Sequence, residues 1–223
     1  MRKEDIQIIR LGSERQPLVV LDNFVSDPDV LTEAANDVTY QHGGQFYPGV
    51  RATADPAWLQ EQSGVLEQIF SQVFGVADGI DVTESNYSLV TTPENDLKPI
   101  QSLPHFDGFD PDRFALLLYL CPENMGGTAF YRHRSTGFET VTQDRFQAYK
   151  QALEQEAAID GTPAGYYRDS ERFKRIHTVE ARVNRMVIYR GITLHSGDIP
   201  VNFKPTSDPS KGRLTINIFC QGM

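Results

Sequence analysis

The chain has 223 residues, of which 39% are hydrophobic and 23% charged; 30 acidic against 21 basic side chains give a net charge of −9. This length suits one β-rich unit that buries roughly 70% of the surface exposed by its unfolded chain, and the negative balance argues against a nucleic-acid partner. No run approaches the roughly 18 apolar residues of a membrane span, and residues 1–12 lack the apolar stretch of a signal peptide, so the expectation is a cytoplasmic protein without a membrane association.

Residues 5–25 read as strand: Ile6, Ile8 and Ile9, a polar turn at 12–16, then PLVVLDNFV. Asp27 as N-cap and Pro28 at the first helical position predict a helix over 28–38, with Leu31, Ala35 and Val38 at helical spacing. Residues 39–56 are loop-rich. A second helix is predicted over 56–74, stopped by Gly75.

From about residue 80 the pattern becomes short β-rich runs at 87–92, 113–120, 127–133, 185–191 and 213–220. Five such runs argue for a sandwich or barrel. The run RFALLLYL is almost continuously apolar, as in a strand covered on both faces. Residues 142–158 look helical and 159–175 polar, so 142–178 reads as an insertion, a lid or an edge cover. The expected organisation is a single domain over 1–223, mainly β with flanking helices: N-terminal helical support over about 1–80 and a core over about 85–220. Arg168 to Arg185 is the most basic tract and reads as a solvated face. Cys121 and Cys220 form no metal-type or redox-type pair and read as two buried thiols or one disulfide.

Two of the five histidines have suggestive surroundings. In LPHFDGFD, His105 and Asp107 are two apart, which in an extended chain puts both side chains on one face. His195 follows the apolar run Met186–Tyr189 and a glycine. Two His and one carboxylate with open positions is the donor set of non-haem Fe(II) oxygenases. Alone, His-x-Asp arises by chance in many proteins, and a lone strand His is more often a core or surface residue than a ligand.

The order of the surrounding parts is more specific. His105-Phe106-Asp107 is followed by the apolar run Phe114–Leu120, a polar turn, and Gly126-Gly127-Thr128-Ala129-Phe130; His195 is followed by Pro200-Val201, and Arg213-Leu214-Thr215 opens the last strand. Over about residues 85–220 this arrangement resembles the prolyl-4-hydroxylase-like branch of the Fe(II)/2-oxoglutarate-dependent dioxygenase superfamily, and within that fold an uncharacterised bacterial subfamily. The resemblance implies a double-stranded β-helix (jelly roll), Fe(II) on His105, Asp107 and His195, and 2-oxoglutarate as cosubstrate. It implies decarboxylation of 2-oxoglutarate to succinate and CO₂, coupled to oxidation of a substrate C–H bond.

In that reading the buried C5 carboxylate of 2-oxoglutarate needs a charged partner, and the Arg213 fork suits it. Thr215 on the same face and Tyr87 on an earlier strand are expected to add hydroxyl donors. The loop between His195 and Arg213 is longer than that family usually shows; VNFKPTSDPSKG absorbs the excess, with Lys204 and Lys211 in solvent. Asp107 favours hydroxylation over halogenation, since related halogenases lack that carboxylate. His133 reads as a surface strand residue, His42 as part of a loop bordering the site, and His177 as structural or exposed. Arg113, Arg132 and Arg134 read as surface ion-pair formers.

The implied substrate is a small molecule or an amino-acid or peptidyl group, and a homodimer is among the oligomeric states left open. Two rival readings stand beside the oxygenase: a cupin-like metalloenzyme that does not use 2-oxoglutarate, and a non-catalytic jelly-roll binding protein.

Overall fold

The structure, a computed structural model, describes residues 5–223. Eleven strands are present among these residues: β1 (Ile6–Leu11), β2 (Gln16–Leu21), β3 (Gln41–His42), β4 (Gly49–Thr53), β5 (Ile80–Val90), β6 (Arg113–Tyr119), β7 (Gly127–His133), β8 (Phe173–Glu180), β9 (Arg185–Arg190), β10 (His195–Asp198) and β11 (Leu214–Gly222). Three α-helices accompany them: α1 (Pro28–Asn36), α2 (Ser63–Ile69) and α3 (Gln143–Asp160). The strands form an eight-stranded sheet, ordered β1-β2-β9-β6-β11-β5-β4-β3, and a three-stranded sheet, ordered β10-β7-β8. All pairings are antiparallel. This is a two-sheet arrangement of the kind the strand runs predicted, and the jelly roll that the resemblance implied.

The pleat of the large sheet sends alternate side chains to two separate cores. Leu116, Leu118, Ile188, Ile216 and Ile218 pack outward against Leu31 and Ala35 of α1 and Leu66 and Ile69 of α2. Ala115, Leu117, Val187 and Tyr189 point inward with Phe130 and Val179 from the small sheet. The outer face of the small sheet, through Ala129, Tyr131 and Phe173, packs with Tyr149 of α3.

The N-terminal helix begins as predicted, with the Asp27 carboxylate accepting from the Asp29 N–H at 3.1 Å. The second predicted helix is three pieces: a 3₁₀ stretch Pro56–Gln62, α2, and a π-helical turn Phe70–Phe74 ended by Gly75 at φ 77°. The wide turn seats Phe70 and Phe74 against Phe114, with ring centroids 5.0 and 5.1 Å apart.

The region read as an insertion contains the expected helix, but residues 173–178 belong to β8, a full strand of the small sheet. Only Phe173 and Val179 of FKRIHTVE are buried, so its basic side chains masked the strand pattern. The basic tract is not simply a solvated face either. Arg175 pairs with Asp198 at 3.0 Å. Arg185 is buried and grips Asp22 in a bidentate pair, Nε to Oδ1 at 2.6 Å and Nη2 to Oδ2 at 2.9 Å. Both cysteines are free and buried, Cys121 in the inner core and Cys220 in the outer one.

The β1–β2 turn is tied to the far end of β7 by Glu139. Its buried carboxylate accepts from the backbone N–H groups of Ser13 and Glu14 at 3.0 and 2.9 Å and from Arg132. Gly12 permits this, since a Cβ there would stand 2.3 Å from the Glu139 oxygens. Among the described residues no helix is long and apolar enough to cross a membrane.

Phe114→Ala empties the aromatic cluster under α2 and is expected to cost about 3–5 kcal/mol of unfolding free energy, measured by urea denaturation. Hydrogen bonding to Arg185 holds the Asp22 carboxyl below its ordinary range. A lowered folded pKa gives stability that is complete above the unfolded value of about 4 and is lost as pH falls through the folded value. Arg185→Met should therefore lower stability at neutral pH and decline less steeply than wild type on acidification; identical acid limbs would disprove the linkage.

Candidate metal centre

The His105–Asp107 segment reaches the site through backbone pairing. His105 forms an isolated antiparallel bridge with His195, N–H to carbonyl at 2.8 Å one way and 2.9 Å the other. The Asp107 N–H donates to the Gly191 carbonyl at 2.7 Å, which holds the segment along the edge of the small sheet. His105 and Asp107 then share one face, and Phe106 between them turns away to pack near Phe109 and Phe146.

One donor atom from each of His105, Asp107 and His195 lies within 4.8 Å of the other two. His105 Nε2 is 3.7 Å from Asp107 Oδ1, and His195 Nε2 is 3.6 Å from Asp107 Oδ2. The side chains of His195 and Asp107 are only 6% and 11% exposed, whereas His105 leaves 51% open to the cavity. The Thr193 carbonyl, 2.8 Å from His195 Nδ1, accepts a hydrogen bond from the Nδ1–H tautomer, which leaves Nε2 with a free lone pair. Although half of His105 is open, desolvation by the cavity wall and the adjacent His195 hold its imidazole well below the usual histidine range. Burial pushes the Asp107 carboxyl upward, against His195 and Arg113.

Asp107 Oδ2 is buried with no hydrogen-bond partner in the protein. A buried acceptor without a partner is costly, and a cation between the two imidazoles would supply one. Two imidazoles and a carboxylate with an open side fit a divalent transition ion of the Fe(II) type.

The three side chains line a cavity of about 710 Å³ between the two sheets, and Arg213 lines it too. Arg213 is buried; its Nη2 donates to the Gly127 carbonyl at 2.7 Å, and its Nε has no partner in the protein. Thr215 faces the same side, but its hydroxyl donates to Asn217 Oδ1 at 2.7 Å and it does not reach the cavity wall. Tyr87 is not at the site. It pairs with Ile216 and lies in the outer core beneath the helices, on the opposite face of the sheet.

Tyr47 is the residue that the sequence reading missed. Its hydroxyl is buried near the Ser88 hydroxyl, Arg51 stacks on its ring at 4.5 Å, and burial raises its pKa against the pull of nearby Arg213. It belongs to the QHGGQFYPG loop, whose Gly43–Tyr47 portion lines the cavity while His42 stands outside it. Arg113 also lines the cavity rather than forming a surface ion pair; Arg132 and Arg134 do pair, with Glu139 and Asp169. His133 is fully buried rather than on the surface, between Thr136 at 2.9 Å and Glu156 at 3.2 Å.

These features define a double-stranded β-helix with a His-Asp-His cluster and a buried arginine in one cavity. The sequence model of a family of unknown function, DUF6445, matches residues 2–220, and the chain belongs to that family. No curated protein matches it. Among solved structures it is similar to HygX from Streptomyces hygroscopicus with iron bound (TM-score 0.54, 9% identity, 93% of this chain and 83% of that one). HygX with nickel and 2-oxoglutarate bound is also similar (TM-score 0.53, 9% identity, 93% and 84%). So is SnoK, a non-haem α-ketoglutarate-dependent carbocyclase from nogalamycin biosynthesis (TM-score 0.50, 16% identity, 99% and 84%). At such identities the likeness is one of fold.

Calorimetric titration of the metal-free protein with Ni(II) is expected to show one ion per chain. Asp107→Ala or His195→Ala should weaken binding by more than the roughly 10–100-fold that loss of an outer hydrogen-bond partner costs. Unchanged affinity in either variant would place the ion elsewhere.

Proposed function

We propose that this protein is an Fe(II)- and 2-oxoglutarate-dependent oxygenase that oxidises a C–H bond of a small-molecule, amino-acid or peptidyl substrate. The observation that carries the reading is the placement of His105, Asp107, His195 and the carboxylate-free Arg213 on one cavity wall. The fold shared with HygX and SnoK supports it.

His105, Asp107 and His195 would hold the iron. When bound, iron and 2-oxoglutarate supply the activation of O₂ and the oxidising power. Arg213 binds the C5 carboxylate of the cosubstrate: its Nη2 is anchored on the Gly127 carbonyl, and its Nε remains free to donate. The buried Tyr47 hydroxyl is a second donor for the same oxygens. Thr215 acts indirectly, by holding Asn217 in the wall. The Thr193 carbonyl keeps the proton on His195 Nδ1. Leu103, Phe106, Phe109 and Phe146 give the mouth an apolar lining that limits water at the centre.

The test is an anaerobic titration of metal-free protein with Fe(II) and then 2-oxoglutarate, read by the weak visible charge-transfer absorption of the chelate. Wild type should develop the band and His105→Ala should not. Arg213→Gln should raise the Kd for 2-oxoglutarate about thirtyfold or more. Iron binding without the band would point to a metalloenzyme that does not use 2-oxoglutarate. No iron binding would leave a jelly-roll binding protein.

A further inference from the structure

The protein is acidic overall, yet its cavity is cationic. Among the described residues the wall carries Arg51, Arg113, Lys150 and Arg213 against one carboxylate, Asp107. Lys150 is shared with Glu154 at 3.7 Å and Arg51 with Glu84 at 3.6 Å, both pairs partly in solvent. No carboxylate of the described residues lies within ion-pair distance of Arg113 or Arg213. A divalent metal ion and dianionic 2-oxoglutarate cancel one another, so loading the site as proposed leaves the positive excess in place.

Arg113 is too far along the fold to serve the anion held by Arg213. Arg113 sits opposite Gln221, and Tyr119 sits opposite Thr215. The Arg113 end of β6 and the Arg213 end of β11 are therefore separated by about 20 Å of strand, much longer than a five-carbon diacid. Arg113 instead flanks the metal centre on the Asp107 side: its side chain passes Gly108 so closely that a Cβ there would stand 3.1 Å from Arg113 Cδ. Its guanidinium stacks on Phe219, 4.8 Å from the ring centroid, and its buried Nε has no partner in the protein. A stacked guanidinium keeps its edge free, and that edge matches a carboxylate. Another part of the same cavity lining is apolar. Phe106 and Phe109 lie 5.3 Å apart and Phe109 and Phe146 5.0 Å apart, all three half-buried and lining the cavity.

We infer that the substrate is a small organic carboxylate with an aromatic or aliphatic body. Arg113 takes its carboxylate beside the metal centre, and Phe106, Phe109 and Phe146 take its body. The inference rests on the oxygenase reading for the word substrate; the anion site itself does not.

The test uses 3-phenylpropanoate and hexanoate, each against its neutral primary amide, titrated calorimetrically into protein saturated with Ni(II) and 2-oxoglutarate. Excess 2-oxoglutarate keeps Arg213 occupied, so an added acid reports on a second site. At least one acid should bind about tenfold or more tightly than its amide, and Arg113→Gln should remove most of that difference while Ni(II) affinity stays unchanged. The inference is overturned if neither acid outbinds its amide. It is also overturned if Arg113→Gln keeps the acid preference, or weakens Ni(II) binding and leaves the preference intact, which would make Arg113 a partner of Asp107 only. If 2-oxoglutarate fails to bind the Ni(II)-loaded protein, the oxygenase reading fails by itself; the same titrations with Ni(II) alone then decide the anion site.

Discussion

The large sheet is apolar on both faces, and each face must be covered. Along β6, Phe114, Leu116 and Leu118 point one way and Ala115, Leu117 and Tyr119 the other. The N-terminal helices cover the first set completely. The second set faces a sheet of only three strands, which cannot span eight. What the small sheet leaves uncovered becomes the cavity. Inward positions there carry Arg113, Arg213 and Asn217 in place of apolar side chains.

The candidate metal centre depends on the backbone before it depends on side chains. Reciprocal hydrogen bonds between His105 and His195 bring the two imidazoles to 4.3 Å, and the Asp107 N–H bond to Gly191 brings the carboxylate against them. Of the buried polar atoms without a protein partner, Asp107 Oδ2 and Nε of Arg113 and Arg213 belong to residues that line this cavity. The cationic wall inside an acidic protein adds a local field that draws anions inward.

Legibility differed from residue to residue. His105 and Asp107 could be related from sequence because a spacing of two has a definite meaning in extended chain. Tyr87 could not be placed, because in YSLV either parity offers an apolar face; pairing with Ile216 put it under the helices. Tyr47 gave no periodic signal, since it lies in a glycine-rich loop whose path is set by contact with the sheet. β8 was hidden because its burial is confined to Phe173 and Val179, and β10 because four polar or small residues carry no strand pattern.

The sequence by itself determined the β-rich class, the N-terminal helix start and the apolar central strand, which rest on local rules: side-chain periodicity, capping chemistry and short-range spacing. The candidate ligands came from the order of motifs along the chain and the family resemblance that order carries. Only the tertiary structure decided which arginines face the cavity, which tyrosine joins them, and that residues 173–178 are sheet rather than insertion. Those outcomes depend on strand register and on which sheet covers which face, and register is settled by pairing between residues far apart in the chain.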